Sequence, residues 1–297
     1  MRLVRPEPAY RLRCAMSGRR WWETETSAYA LGRDRLETER LRGQADALAP
    51  MAAALLDRVE LTEGGAGVDV GCGPAGILEL LSERVGPRGR VVGVDNDPAH
   101  VAAARAYAAE RALGNVEIVE AAAARTGLPA SSFDLVHTRA LLVNIPDPAA
   151  VVVELVRLAR PGGYVLVQEP DTSLRICHPP DPSWDRLVEL YEAAFQRDGA
   201  DLRVGRRLPG FLRDAGLVEL GAEVHGGVFP AGHPRRTHLP DLARTLRATI
   251  VARGDIDEAG YDELERAVCT HLADPGVFVL THLFFIAWGQ KPPAEAP

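Results

Sequence analysis

The chain has 297 residues, 46% of them hydrophobic and 25% charged, and its formal net charge is −7. That length and apolar content can bury one large α/β core with one appended subdomain. The acidic balance argues against a general attraction to nucleic acid, and the lack of any run of 18 apolar residues argues against a membrane span.

Residues 1–26 contain arginines, prolines and the pair Trp21-Trp22, and read as an arm or an edge helix. Exchange of that arm between subunits would make a homo-oligomer, although no heptad or patch compels it. No apolar signal-peptide core occurs at the start, so a cytoplasmic protein is expected. Between residues 27 and 59 the spacing of Leu31, Leu36, Leu41, Leu48, Leu55 and Leu56, with no proline before Pro50, predicts two helices. Strands are predicted at 67–71, 90–95, 116–120, 133–138 and 164–169, alternating with helices. Asp97-Pro98 and Asp147-Pro148 open two of those helices; Gly114 closes the first, and Arg160-Pro161-Gly162-Gly163 the second. This alternation demands a doubly wound parallel sheet, with ligands bound at the carboxyl ends of its strands. Further strands are expected at 217–224 and 278–288. Between them Leu239, Leu242, Leu246, Ile250, Leu264 and Val268 fall at helical spacing. The expected division is therefore 1–60 as arm and covering helices, 61–234 with 276–291 as the sheet core, and 235–275 as an inserted helical lid.

The turn after the first strand, Val68-Asp69-Val70-Gly71-Cys72-Gly73-Pro74-Ala75-Gly76, carries the chemistry. Gly71 and Gly73 lack the Cβ atoms that would hold a ligand off the backbone. With Asp95 placed 19 positions after Gly76, the spacing also fits a dinucleotide fingerprint. Charge separates the two options. Asp69 would repel a pyrophosphate and suits an ammonium group, and Pro74 lacks the N–H that a phosphate would take. S-adenosyl-L-methionine is favoured over NAD on those grounds.

At these residues the chain resembles the class I S-adenosylmethionine-dependent methyltransferases. Asp69-Val70-Gly71-Cys72-Gly73 looks like the first motif of that family, and Val91-Val92-Gly93-Val94-Asp95-Asn96 like its second strand with the ribose-binding acid. Ser132-Phe133-Asp134-Leu135-Val136 and Arg160-Pro161-Gly162-Gly163-Tyr164-Val165-Leu166-Val167 are similar to its fourth and fifth strands. The remainder matches small-molecule, natural-product enzymes of actinobacterial type more loosely.

The resemblance implies a Rossmann-like seven-stranded sheet with a terminal antiparallel hairpin, N-terminal helices and a helical lid. It implies cofactor contacts from Asp69, Gly71, Cys72, Gly73, Asp95 and Asn96, and from Tyr29 and Gln44 on the N-terminal helices. Ala122 stands where the family usually places an acid against the adenine amino group, so Ala122 and Ala123 would offer only backbone and apolar walls. Arg139, at the end of the fourth strand, could reach the methionyl carboxylate. Glu169, at the methyl-donor pocket of the resemblance, ranks first as base or substrate-positioning group. Asn144 lies on the loop where related enzymes often carry a catalytic histidine, and it can orient a hydroxyl but not act as a base. His178, beyond the fifth strand, is a third catalytic candidate. His137, within a strand, reads as a packed or hydrogen-bonded core residue and not as a base.

The expected activity is methyl transfer to oxygen, nitrogen or carbon of a small, apolar natural product or lipid-like acceptor. The alternative keeps the fold and uses the bound sulfonium only as a positive charge, for isomerisation, cyclisation or ligand binding; the missing acid at Ala122 motivates it. An NAD-linked reductase is the third class. A nucleic acid substrate is not expected, because His137-Thr138-Arg139-Ala140 replaces the Asn/Asp-Pro-Pro-aromatic run of enzymes that act on base amino groups. No metal is expected from His225, His233 and His238, which prolines interrupt. Cys14, Cys72, Cys177 and Cys269 form no CxxC pair and read as reduced thiols.

Overall fold

The computed structural model describes residues 35–59, 61–196 and 200–294. After helix α1 (Arg35–Leu56), strands β1 (Ala66–Val70), β2 (Arg90–Asp95) and β3 (Val116–Glu120) alternate with helices α2 (Leu78–Val85) and α3 (Pro98–Glu110). Strand β4 (Phe133–Arg139), helix α4 (Pro148–Leu158) and strand β5 (Ala159–Asp171) complete the parallel part. Then follow β6 (Ile176–His178), α5 (Pro182–Phe195), α6 (Leu208–Asp214) and β7 (Val218–His225). Helices α7 (His238–Thr245), α8 (Arg247–Ala252) and α9 (Glu258–Ala273) precede β8 (Phe278–Leu280) and β9 (Leu283–Gln290).

Seven strands form one sheet in the order β3-β2-β1-β4-β5-β9-β7. The first five run parallel, and β9 lies antiparallel to both β5 and β7. Strand order reverses between β1 and β4, which opens a crevice at their carboxyl ends. Alternate residues serve opposite faces, as the pleat requires. Val68, Val70, Val92, Val94, Val136 and Val167 join the core with α4 and α5. Val91, Leu135, Leu166 and Ile286 join the one with α1, α2 and α3. Because helices cover both faces, the strands read as apolar runs and not as alternating ones.

Asp97 and Asp147 cap α3 and α4 as expected, each accepting from a backbone N–H in the first turn. Three expectations are corrected. The leucines expected to form two N-terminal helices belong, over the described residues, to one helix that continues through Pro50. Burial of Leu48, Leu55 and Leu56, at about 1.5–3 kcal/mol each, outweighs the roughly 3 kcal/mol that a mid-helix proline costs. The Arg160-Pro161-Gly162-Gly163 stretch does not merely close α4; it lies inside β5. The C-terminal segment draws it into the sheet: Gly162 N donates to Lys291 O and Lys291 N to Gly163 O, both at 2.8 Å. The single strand expected at 278–288 is broken at Thr281 and His282, and its first part, β8, pairs with β6 in a separate two-stranded sheet.

The segment that leaves β4 begins at Ala140 with φ +52° and coils into a 3-10 turn at Leu142–Asn144. Glu169 on β5 holds it. Its carboxylate accepts from Leu141 N at 2.9 Å, Leu142 N at 2.8 Å and Val143 N at 3.1 Å. Burial pushes this carboxyl up to about 7 against the opposing pull of those three donors. Its protonated form is thus favoured by folding. The contribution is complete below the ordinary carboxylate range and disappears as pH rises through about 7. Glu169→Ala is expected to lose about 3 kcal/mol or more, because orphaned buried donors cost about 1–3 kcal/mol each. Glu169→Gln should flatten the part of the wild-type stability loss between about pH 4.5 and 7, as urea unfolding at a series of pH values would register.

Candidate active site

A cavity of about 430 Å³ opens at the carboxyl ends of the parallel strands, within the range of small-molecule sites. Its two halves differ in chemistry.

The first half is built around the glycine turn. Gly71, Gly73 and Gly76 take φ values of +75°, +55° and +54°, a region costly for residues with a Cβ. Their roles diverge. A Cβ on Gly76 would overlap the Asp69 carboxylate, and one on Gly71 would press on Leu141 at 2.9 Å, whereas one on Gly73 would meet no protein atom within 4 Å. Gly73 alone of the three leaves open room, so it is the position where a ligand can approach the backbone.

Asp69 is 1% exposed. Its Oδ1 accepts from His137 Nδ1 at 2.7 Å and its Oδ2 from Ile77 N at 3.0 Å. Although it lines the cavity, the carboxylate expected to meet an ammonium is already engaged by the protein. His137 is the hydrogen-bonded core residue expected. Asp95 ends β2 with Oδ2 accepting from Gly73 N and Oδ1 from Asp97 N, both at 2.9 Å, which shapes the turn and faces the acid into the cavity. Asn96, Ala122 and Ala123 line the same half. Cys72 lines it too, but burial and then Asp95 and Asp69 push its thiol well up, so it is not a ready nucleophile.

Arg139 reaches the cavity from the end of β4. Its Nη2 donates to Gly76 O at 3.3 Å, while Nη1 is buried with no hydrogen-bond partner among the described residues. Burial lowers its pKa and Asp69 opposes that shift. An orphaned guanidinium nitrogen facing a cavity is a place for an anion. Gln44 lines the wall from α1, its Oε1 accepting from Arg40 Nη1 at 2.8 Å. Tyr29 lies outside the described residues.

The three catalytic candidates separate. Asn144 lines the cavity, with Nδ2 donating to Ala140 O at 3.1 Å. Glu169 does not line it: the side chain is within the strand, not after it, and is wholly buried under the 141–143 backbone. In this arrangement its carboxylate is spent on the turn it holds and faces no acceptor space. His178 is exposed on β6, opposite Phe278 and away from the cavity lining. The short β6–β8 sheet carries it elsewhere.

The second half has residues that sequence reasoning missed. Arg175 from the β5–β6 connection, Tyr191 and Phe195 from α5, Leu242 from α7, and Phe284 from β9 line it. His238, which opens α7, and His282, from the break before β9, stand with ring centroids 4.8 Å apart. Burial, reinforced by Arg175, Arg235 and Arg40, pushes His238 down to about 3. Burial, then His238 and the arginines Arg175 and Arg235, also moves His282 well down. Both rings are neutral near pH 7. No motif could have found this group, because its members come from separate elements and meet only where α5, α7, β9 and the β5–β6 connection come together. The one available signal was position: Arg175 follows the carboxyl end of β5, where ligand-binding loops gather.

A methyltransferase-domain family model matches residues 61–196. Nocamycin O-methyltransferase of Saccharothrix syringae is 41% identical over 132 residues, which cover 43% of this chain and 47% of that enzyme. A trans-aconitate 2-methyltransferase of Methylobacterium radiotolerans is 35% identical over 203 residues, covering 67% of this chain and 73% of the relative. The chain spans about half the length of the first curated relatives it matches. In fold it is similar to phosphoethanolamine N-methyltransferase 2 of Haemonchus contortus, a structure holding S-adenosylhomocysteine, with a TM-score of 0.51 at 20% identity over 80% of this chain and 52% of that one. With the glycine turn, the acid ending β2 and the strand order in agreement, the chain belongs to the class I S-adenosylmethionine-dependent methyltransferases.

Proposed function

We propose that the chain transfers a methyl group from S-adenosylmethionine to oxygen, nitrogen or carbon of a small molecule seated in the second half of the cavity. The observation that carries this reading is the continuity of one cavity from Gly73 and Asp95 to the lid residues Leu242 and His238. The bound cofactor supplies a methyl already activated by its sulfonium. What the protein must add is alignment, exclusion of water and, for some acceptors, removal of a proton.

The residues present fit the cofactor. Gly73 leaves room at the turn, Asp95 offers carboxylate oxygens to ribose hydroxyls, and Arg139 Nη1 is free for the methionyl carboxylate. Ala122 and Ala123 give the adenine an apolar wall, with the rim contact left to Asn96. Asp69 acts through the turn it fastens. The stretch 235–275 acts as a lid over the acceptor, and Asn144 orients it. Among the described residues lining the acceptor half no carboxylate is present, and histidines held neutral by burial are weak bases. The acceptor therefore arrives as a competent nucleophile, or loses its proton to water.

Gly73→Val should keep the fold, at about 1–2 kcal/mol for its left-handed backbone, and abolish S-adenosylhomocysteine binding; circular dichroism and titration calorimetry read the two effects. Arg139→Gln is expected to weaken S-adenosylhomocysteine at least about tenfold and to leave 5′-methylthioadenosine, which has no amino-acid end, unchanged. Equal losses for both compounds would remove Arg139 from the carboxylate. Incubation with methyl-labelled cofactor and candidate acceptors tests the activity itself: label should appear in product. Product formed without label would select the isomerising or cyclising alternative.

A further inference from the structure

The acceptor half of the cavity holds a cation, Arg175, with no counter-ion among the described residues. Both Nη atoms of Arg175 are shielded from solvent, and neither has a hydrogen-bond partner among the described residues. The guanidinium lies over the ring of Tyr191, with Cζ 4.6 Å from its centroid. This contact uses the face of the plane and, through the Tyr191 phenol, part of its N–H edge, and the two Nη atoms keep capacity for an anion. His282 Nδ1 is likewise buried without a partner, on a ring that lines the same space.

Among the described residues no acid lining the cavity answers this charge. The lining carboxylates, Asp69, Asp95 and Asp97, stand at the ends of β1 and β2. Asp69 is bound by His137 and Ile77, Asp95 by Gly73 and Asp97. Asp171, at the end of β5, pairs with Arg206 and Ser173 instead. Burial of a charge without a partner is costly, and the fold retains this one inside a cavity that a ligand can enter.

Building on the methyltransferase reading of this cavity, we propose that Arg175 is the specificity-determining residue of the acceptor site and that the acceptor carries a carboxylate. The two carboxylate oxygens match the parallel N–H groups of a guanidinium fork. The apolar body of the acceptor rests on Phe195, Leu242 and Phe284. Arg40 also lines this cavity and acts on Tyr191 and His238, but among the described lining residues it is Arg175 whose two Nη atoms lack a hydrogen-bond partner, which suits a monoanion. The neutral imidazoles of His238 and His282 add hydrogen-bonding capacity without adding charge. The acceptor is thus amphiphilic, not apolar throughout.

The test uses the full chain saturated with S-adenosylhomocysteine, titrated with benzoate, cinnamate and 3-methylbutanoate and with the primary amide of each. The wild type is expected to bind at least one carboxylate at least about tenfold more tightly than its amide. Arg175→Gln should reduce that preference to within about twofold while leaving S-adenosylhomocysteine affinity unchanged, and Arg175→Lys, which keeps the charge but not the fork, should retain part of it. Equal binding of every acid and its amide by the wild type overturns the assignment. So does a preference that survives in Arg175→Gln, or phenyl phosphate bound as tightly as benzoate. Failure of the wild type to bind S-adenosylhomocysteine at all would instead bring down the methyltransferase reading, and the two failures are told apart in one set of titrations.

Discussion

The Asp69 carboxylate is the fastening on which the site depends. It sits on β1 beside His137 of β4, its register partner, and accepts from that ring and from Ile77 N. These two bonds tie together the two strands that flank the reversal of order and the turn that leaves the first of them. Charge-assisted bonds to a carboxylate are about twice as strong as neutral ones, and at 1% exposure water cannot compete for them. The close fit of Gly76 against the same carboxylate follows from this arrangement: the third glycine of the pattern makes room for the acid, and only Gly73 makes room for a ligand.

A second buried acid repeats the device on the other side of the crevice. Glu169 gathers three N–H groups of the 141–143 backbone, and so sets Leu141, Val143 and Asn144 against the cavity. Two of the acids that sequence alone invites one to read as chemistry thus have their oxygens hydrogen-bonded to the protein's own groups. Their consumption explains the character of the acceptor half, where alignment and electrostatics are available and a strong base is not.

The parallel core was legible in the sequence because each of its elements is specified locally. Aspartate-proline pairs start α3 and α4, valine runs demand burial on both faces, and β2 and β3 fall on the residues expected. What escaped notice depends on contacts between distant segments. Pro50 breaks a helix by local rules, but the leucines beyond it are buried. The run 278–288 is apolar throughout, and nothing in it reveals that β6 claims its first three residues and leaves His282 facing the cavity. Asp69, Asp95 and Gly73 line the cavity, while the partners of Asp69 come from segments distant in sequence, since a motif specifies where a residue stands and not which neighbour reaches it.

The placement of charge along the cavity gives the parts a common logic. The three carboxylates lie at the ends of β1 and β2, with Arg139 nearby at the end of β4, and Arg175 with the two neutral histidines lies beyond β5, at the start of α7 and before β9. A cation entering this space is favoured near the first group and an anion near the second, and low-dielectric walls strengthen both preferences relative to water. A sulfonium cofactor and a carboxylate acceptor would therefore sort to opposite ends without any residue acting as a gate, their mutual attraction directed along the axis that joins them. Substituting a neutral residue for Arg175 would remove that sorting while leaving the glycine turn untouched, because the two groups stand at different strand ends of one cavity.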